Sequence, residues 1–141
     1  MTLQNLLGRA LESIPKDPVN VERLMAAARR SLDDAKLSGM SSEGRFDMAY
    51  KSIMQGANAA LQANGFRTLT SKPGHHQTMI QTLPLTIGFE PHRMIILDGL
   101  RKQRNLSDYS GDPVSEAMAD ESLAHATAFL TDVEAWLLSQ S

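Results

Sequence analysis

The residues best suited to chemistry lie in the second half of a predicted helix, where an apolar stripe becomes ionic. Met94 and Leu97 define a core-facing line, and the next positions on it at helical spacing are Arg101, Arg104 and Asp108. Burying a guanidinium without a partner is costly. The pattern therefore predicts that these arginines face a carboxylate, another subunit or an anionic ligand.

The same spacing also allows a purely structural interpretation. Arg104 and Asp108 are four residues apart and can form an ordinary ion pair within one helix, although arginine before aspartate is the less favourable order. Spacing alone leaves the structural ion pair and the anion site equally open.

Other kinds of site find little support in the sequence. A ferritin-like metal centre needs a Glu-x-x-His pair, which the sequence lacks. His75 and His76 lie at a predicted helix start and His125 among surface positions, so we expect surface or capping histidines, no metal and no cofactor. Glycine-rich phosphate loops and Gly-x-Ser-x-Gly elbows are also absent. Tyr50 is expected to be a core aromatic residue whose hydroxyl has one partner.

Length and composition indicate one domain with a sizeable core. The chain has 141 residues, is 42% hydrophobic and carries a net charge of -2, so any contact with nucleic acid must come from a local basic patch. The absence of cysteine excludes disulfides and thiolate metal sites, and a cytoplasmic location is the default expectation. Neither a signal peptide nor a membrane span is expected.

Apolar spacing of three and four residues predicts four long helices. Asp17 and Pro18 are suited to begin the first helix and Gly39 to end it. The second begins near Ser41 or Ser42 and ends at Asn64-Gly65 after about 22 residues. The third begins at Pro91, and the fourth follows Ser110-Gly111-Asp112-Pro113. The buried positions predicted for the second helix are Phe46, Ala49, Tyr50, Ile53, Ala57, Ala60 and Leu61.

Shorter elements complete the prediction. Residues 3–14 show an amphipathic helical pattern, residues 66–74 are expected to form a connecting loop, and a short helix should begin at His75. No stretch alternates with a strand period. The predicted fold is all-α: an up-and-down antiparallel four-helix bundle with an extra short helix. Residues 1–16 form an N-terminal helical appendage and residues 17–141 the bundle domain.

Three motifs resemble those of the small prokaryotic branch of the HEPN superfamily (higher eukaryotes and prokaryotes nucleotide-binding). Ala49–Met54 partly matches an Ala-Tyr-Tyr-Ala-Met-Phe-like helix start, with Lys51 departing from it. Lys72-Pro73-Gly74-His75 is similar to a Lys-x-His-like loop, and Arg104–Tyr109 fits a helix end with arginine, three residues, then Asp-Tyr. The resemblance covers about Val21 to Leu137 and implies a helical bundle.

The resemblance also implies a site and an activity. Many HEPN ribonucleases carry arginine, a polar residue and then histidine four to six residues after the arginine; Arg104 and Asn105 fit, and Tyr109 stands where the histidine would be. The family's site forms between two protomers, and its arginine binds phosphate during RNA cleavage. The implied catalytic residues are Arg104, Asp108 and Tyr109, and the implied phosphate- or nucleic-acid-binding residues are Arg101, Arg104, Asn105, Lys72 and His75.

The function therefore stays open between classes. The leading hypothesis is a homodimeric HEPN-type domain that binds or cleaves RNA, or binds nucleotide phosphates, as part of a toxin–antitoxin pair. Its antitoxin partner would be a nucleotidyltransferase. The alternative is a non-catalytic helical adaptor that binds such a nucleotidyltransferase or its substrate. A structural dimerisation module is the third possibility.

Overall fold

Helices account for most of the computed structural model, which describes residues 1–140. The predicted all-α character is confirmed at this level. The elements in chain order are a 3-10 turn (Gln4–Leu6), β1 (Leu11–Ser13), α1 (Pro18–Ala35), α2 (Ser42–Ala63), β2 (Phe66–Thr68), α3 (His75–Gln81), α4 (Leu83–Thr86), α5 (Pro91–Ser110) and α6 (Glu116–Ser139).

The predicted helix starts are confirmed by their capping contacts. Asp17 accepts a hydrogen bond from the backbone N–H of Val19 at 3.1 Å, and Ser41 accepts one from that of Gly44 at 3.0 Å. Pro91 is the first residue of α5. Helix ends agree less closely, because α1 stops at Ala35, before the predicted Gly39.

Helix α2 is the central element, packed along its length against α1 and α6. All seven residues of its predicted stripe are buried. At Gly56 the approach to α6 is so close that an added Cβ would lie 2.7 Å from Leu130 Cδ2 and 3.0 Å from Phe129 Cε2. Small residues on α2 thus allow α6 to pack against it directly.

Helix α5 is attached differently, since it packs chiefly against α3 and touches α2 over a short stretch. Phe89, just before α5, contacts Phe129 of α6 edge-to-face, with ring centroids 5.4 Å apart. Arg93 pairs with Asp132 of α6 at 2.6 Å. These contacts hold the start of α5 against α6, while its later half lies beside α3 and α2.

The N-terminal segment is not the predicted amphipathic helix. Beyond the 3-10 turn, β1 pairs antiparallel with β2, with Leu11 opposite Thr68, so residues 66–68 are also not the predicted loop. Leu11 is fully buried and packs with Leu61 and Phe66. Two strands of three residues are too short to show an alternating pattern. Of the leucines that suggested a helix, Leu3, Leu6 and Leu11 pack in this small second core, whereas Leu7 is exposed. The boundary after residue 16 stays a prediction.

None of the helices within residues 1–140 combines the length and apolar character needed to cross a membrane.

Candidate functional site

A carboxylate one helical turn away holds Arg101. Its Nε donates to Asp98 Oδ1 at 2.8 Å and an Nη donates to Oδ2 at 3.4 Å. The two side chains are only 15% and 10% exposed, and Lys102 Nζ lies 3.8 Å from the same carboxylate. The hydrogen bond to Asp98 raises the pKa of Arg101. Arg101 therefore meets the predicted carboxylate within its own helix.

Arg104, one turn further, is held much more loosely. Its guanidinium lies 4.0 Å from Asp47 Oδ1 and 3.8 Å from Asp108 Oδ2, beyond hydrogen-bond distance, and its side chain is 36% exposed. Its Cζ sits 5.2 Å from the centroid of the Tyr50 ring. Throughout residues 1–140 this guanidinium makes ion pairs and a cation–π contact but no hydrogen bond, so its donors can still serve a ligand.

Arg104 separates two hollows of opposite character. On one side is a small hollow of about 80 Å³ beside the end of α5, whose charged lining besides Arg104 consists of Glu43, Asp47, Asp108 and Asp112. On the other side an open groove of about 440 Å³ runs between α2, α3 and Arg104. The groove is lined by Asp47, Met48, Tyr50, Lys51, Met54, Gln55, Asn58, His76, Met79 and Arg104.

Tyr50 links Arg104 to a histidine of α3. Its hydroxyl lies 3.2 Å from His76 Nδ1, which is the single partner expected of it. Burial raises the pKa of Tyr50 to about 12, against the opposing effect of Arg104 and Arg101. Burial, followed by the charges of His75, Arg104 and Arg101, lowers the pKa of His76. At neutral pH the pair is therefore a protonated phenol and an uncharged imidazole.

Asp47 is the carboxylate that both hollows share. Burial raises its pKa; Arg104 opposes that shift, while Asp108 and Glu43 add to it. Crowding of negative charge on the acidic side makes that hollow unfavourable for an anion. An anionic ligand of Arg104 is consequently better placed in the groove.

The two predicted site residues that precede α5, Lys72 and His75, line neither hollow beside Arg104. His75 contacts the His76 ring edge-on at 4.9 Å between centroids, and its buried Nδ1 makes no hydrogen bond within the described part of the chain. Lys72 is exposed in the connection between β2 and α3 and lines neither hollow. The fold thus brings His75 to the edge of the site but not Lys72.

Of the predicted site residues near the end of α5, some line a hollow and others do not. Asp108 is 62% exposed at the acidic hollow. Asn105 is exposed, and Tyr109 is 95% exposed; neither lines a hollow. With no contact to the groove, Tyr109 is not positioned within this chain to act on a ligand of Arg104.

Tyr109 belongs to an outward-facing row that we call the exposed α5 stripe. Ile95 and Leu106 on this stripe are 62% and 60% exposed. Gly99 faces open space, since a side chain there would meet nothing within 4 Å beyond its chain neighbours and the backbone of its own helix. The stripe comprises Ile95, Gly99, Lys102, Leu106 and Tyr109, spaced three and four residues apart.

Three residues at or near the site were missed by sequence reasoning. Asp98 was detectable, because aspartate three residues before arginine is a favourable intrahelical spacing. Asp47 and His76 come from other helices, and no pattern in the sequence pairs them with Arg104. Among residues 1–140, no group of three or more histidine or acidic side chains could hold a metal ion.

Comparison of the chain with protein-family models, with curated proteins and with solved structures finds no match.

Proposed function

We propose that this chain is a small HEPN-type domain that binds the phosphate of RNA or of a nucleotide through Arg104. The observation that carries the proposal is the difference between the two neighbouring arginines. Arg101 is bound by Asp98 at hydrogen-bond distance, whereas Arg104 is 36% exposed and its nearest carboxylate oxygens are 3.8 and 4.0 Å away. A forked guanidinium with uncommitted donors suits two phosphate oxygens.

The surroundings of Arg104 favour an anion on the groove side. Lys51 adds a second cation there without a carboxylate partner within residues 1–140, and His76, whose lowered pKa favours the neutral ring, adds no negative charge. Asp47 is the one acid lining the groove, and burial raises its pKa. The local charge is therefore positive, although the whole chain carries -2.

The proposal includes the finer architecture that the resemblance implies. Helices α1, α2, α5 and α6 form an up-and-down antiparallel bundle, and two copies associate through the exposed α5 stripe. A large exposed tyrosine and two exposed aliphatic side chains in one row support self-association, because a two-fold contact would bury them together. Such a contact would also bring Asn105 and Tyr109 of a second copy near the interface.

Within this proposal the chain is one half of a toxin–antitoxin pair with a nucleotidyltransferase. Cleavage of RNA requires a proton-transferring group, and Tyr109, the residue implied for that role, does not line the groove of a single chain. Binding is accordingly the part of the proposal with the more direct support. A non-catalytic adaptor function would use the exposed α5 stripe for a nucleotidyltransferase instead of for a second copy.

The deciding experiment measures binding of a nucleoside monophosphate and of short single-stranded RNA to wild type, Arg104→Ala and Arg104→Lys. We expect alanine to weaken binding roughly ten- to a hundredfold, since a charge-assisted hydrogen bond contributes about 1.5 to 3 kcal/mol. Lysine should recover only part of the loss, because it offers a point charge instead of a fork. Arg23→Ala, at an exposed position of α1, is the matched control and should bind like wild type.

Thermal unfolding and sedimentation of the same proteins separate binding from structure. A folded Arg104→Ala protein that binds as well as wild type would contradict the proposal. Sedimentation of wild type beside Leu106→Glu tests the stripe: we expect a dimer for the first and a monomer for the second. A wild-type monomer at high micromolar concentration would instead favour the adaptor function.

A further inference from the structure

The two amide side chains of the groove share one property: their oxygens are already used. Gln55 Oε1 accepts a hydrogen bond from the Ser31 hydroxyl at 2.7 Å. Asn58 Oδ1 accepts one from Gln62 Nε2 at 3.2 Å, and Gln62 is itself held by Asn20 at 2.6 Å. Neither amide nitrogen has a partner within residues 1–140. Both amides are therefore oriented by α1 and α2 so that N–H groups remain for a ligand.

His76 also presents a donor to a ligand. Tyr50 is only 3% exposed, and His76 Nδ1 is its hydroxyl's sole hydrogen-bond partner within residues 1–140. We therefore assign the hydroxyl as the donor and Nδ1 as the acceptor. A neutral imidazole that accepts at Nδ1 carries its proton on Nε2. The remaining ring nitrogen is thus an N–H donor.

The floor of the groove is apolar and deformable. Met54 is 6% exposed, and Met48 and Met79 are partly buried against the same core. Thioether side chains adapt to flat rings and make favourable contacts with aromatic systems. The volume of about 440 Å³ lies in the range of small-molecule sites. The methionines and the two amides line the same groove, so a planar ring on the methionines would lie near the amide donors.

The positions along α2 separate the cationic end of the groove from its amide end. Arg104 meets α2 at Asp47 and Tyr50, and Lys51 lies one turn after Asp47. Gln55 and Asn58 follow four and seven residues after Lys51 on the same side of the helix. At 1.5 Å per residue these steps are about 6 and 10 Å along the axis. This is the scale of one nucleotide, whose sugar separates phosphate from base.

We propose that the groove is a base-recognition subsite for a nucleotide whose base presents carbonyl oxygens, such as uracil, with the phosphate at Arg104 and Lys51 and the base over Met54 and Met79. The amide N–H groups of Gln55 and Asn58 and the His76 Nε2–H donate to the base or the sugar. This inference rests on the proposed function, because it uses the same phosphate contact at Arg104.

The test compares uridine 5′-monophosphate with ribose 5-phosphate, which lacks the base, by titration calorimetry. Wild type should bind the nucleotide at least about tenfold more tightly, a difference of about 1.4 kcal/mol. In Gln55→Glu and Asn58→Asp the new carboxylates can still accept from Ser31 and Gln62, but the free donors are lost. Each variant should reduce the ratio of the two affinities several-fold.

The ratio of the two affinities removes the general effect of added charge, because a negative charge in the groove weakens the binding of both phosphate-bearing probes. Gln81→Glu makes the same substitution at an exposed position that lines neither hollow, so the ratio should stay at the wild-type value. Melting temperatures of all variants confirm that the fold is intact.

The two proposals fail in different ways. Equal wild-type affinities for the two probes, or a ratio unchanged in both groove variants, would overturn base recognition while leaving the Arg104 phosphate site standing. If Arg104→Ala bound both probes like wild type, the proposed function would fail, and the subsite with it. Absence of any binding by wild type would likewise overturn both.

Discussion

The two sides of α2 are stabilised by different means. Toward α6 the contact is close and apolar, made by alanines, Gly56 and the buried Phe129. Toward α1, buried alanines pack beside hydrogen bonds such as the one from Ser31 to Gln55. Toward α3 and α5 the contacts are polar: Tyr50 meets His76, and Arg104 is held loosely near α2. A buried ion pair lies within α5 itself. The comparison teaches that close packing on one side fixes the backbone from which uncommitted polar groups project on the other.

Loss of packing should produce the largest effect. Phe129→Ala removes a fully buried ring that contacts Phe89 and packs closely over Gly56. We expect the free energy of unfolding to fall by about 3 to 5 kcal/mol. Leu106→Ala on the exposed α5 stripe should change it by less than about 0.5 kcal/mol in the monomer. Urea unfolding at low protein concentration measures both, and equal losses would refute the contrast.

An intermediate effect is expected from the buried ion pair on the α5 side. Asp98→Asn leaves Arg101, whose side chain is 15% exposed, without its carboxylate. Breaking a buried pair in this way should cost about 3 kcal/mol, the lower end of the usual range, because both side chains retain some contact with water. Asp108→Asn, at a 62% exposed position, should change stability by at most about 1 kcal/mol. Similar stabilities for the two variants would show that the Asp98 pair does not support α5.

The smallest effect should be a pH dependence that originates at His76. Its pKa is lowered in the folded chain by burial first and then by nearby positive charge, whereas the unfolded chain has the ordinary value near 6.5. As pH falls through that value, the unfolded state takes up a proton first, so this residue's contribution to stability decreases. Above it both states are neutral and the contribution is constant.

The measurement is the stability of wild type minus that of His76→Gln, followed from pH 8 to pH 5. The difference should be flat above neutrality and decline toward acid. Taking the difference removes most of the contribution of Asp47, whose raised pKa acts in the opposite direction by favouring the folded state as it protonates. A difference that rises toward acid would contradict the assigned environment of His76.

The sequence predicted the parts of this molecule that depend on neighbours along the chain. Helix α2 was predicted with its cap at Ser41 or Ser42, its end at Asn64-Gly65 and its buried residues, because propensity, capping and periodicity all act within one turn. The ionic end of α5 was likewise recognised as unusual from helical spacing alone. That spacing also allowed the Arg104–Asp108 pair, which forms at 3.8 Å.

Features that depend on distant residues were not predictable in the same way. The sheet pairs Glu12 with Arg67, 55 residues later, and neither strand is long enough to show alternation. At the site, Asp47 and His76 meet Arg104 only because α2 and α3 pack beside α5. His76 was expected to be a surface or capping residue, since its contact with Tyr50 depends on tertiary structure.

The pairing of β1 with β2 has a consequence for the order in which the chain folds. In the sequence, α1 and α2 both lie between β1 and β2. Pairing the strands from an extended chain would therefore close a long loop, at a large entropic cost. Once α1 and α2 have paired, Ser13 and Phe66 are already neighbours, and the strands can join with little further loss of chain entropy. The sheet should therefore form late, after the α1–α2 helical hairpin. It should slow unfolding more than it accelerates folding.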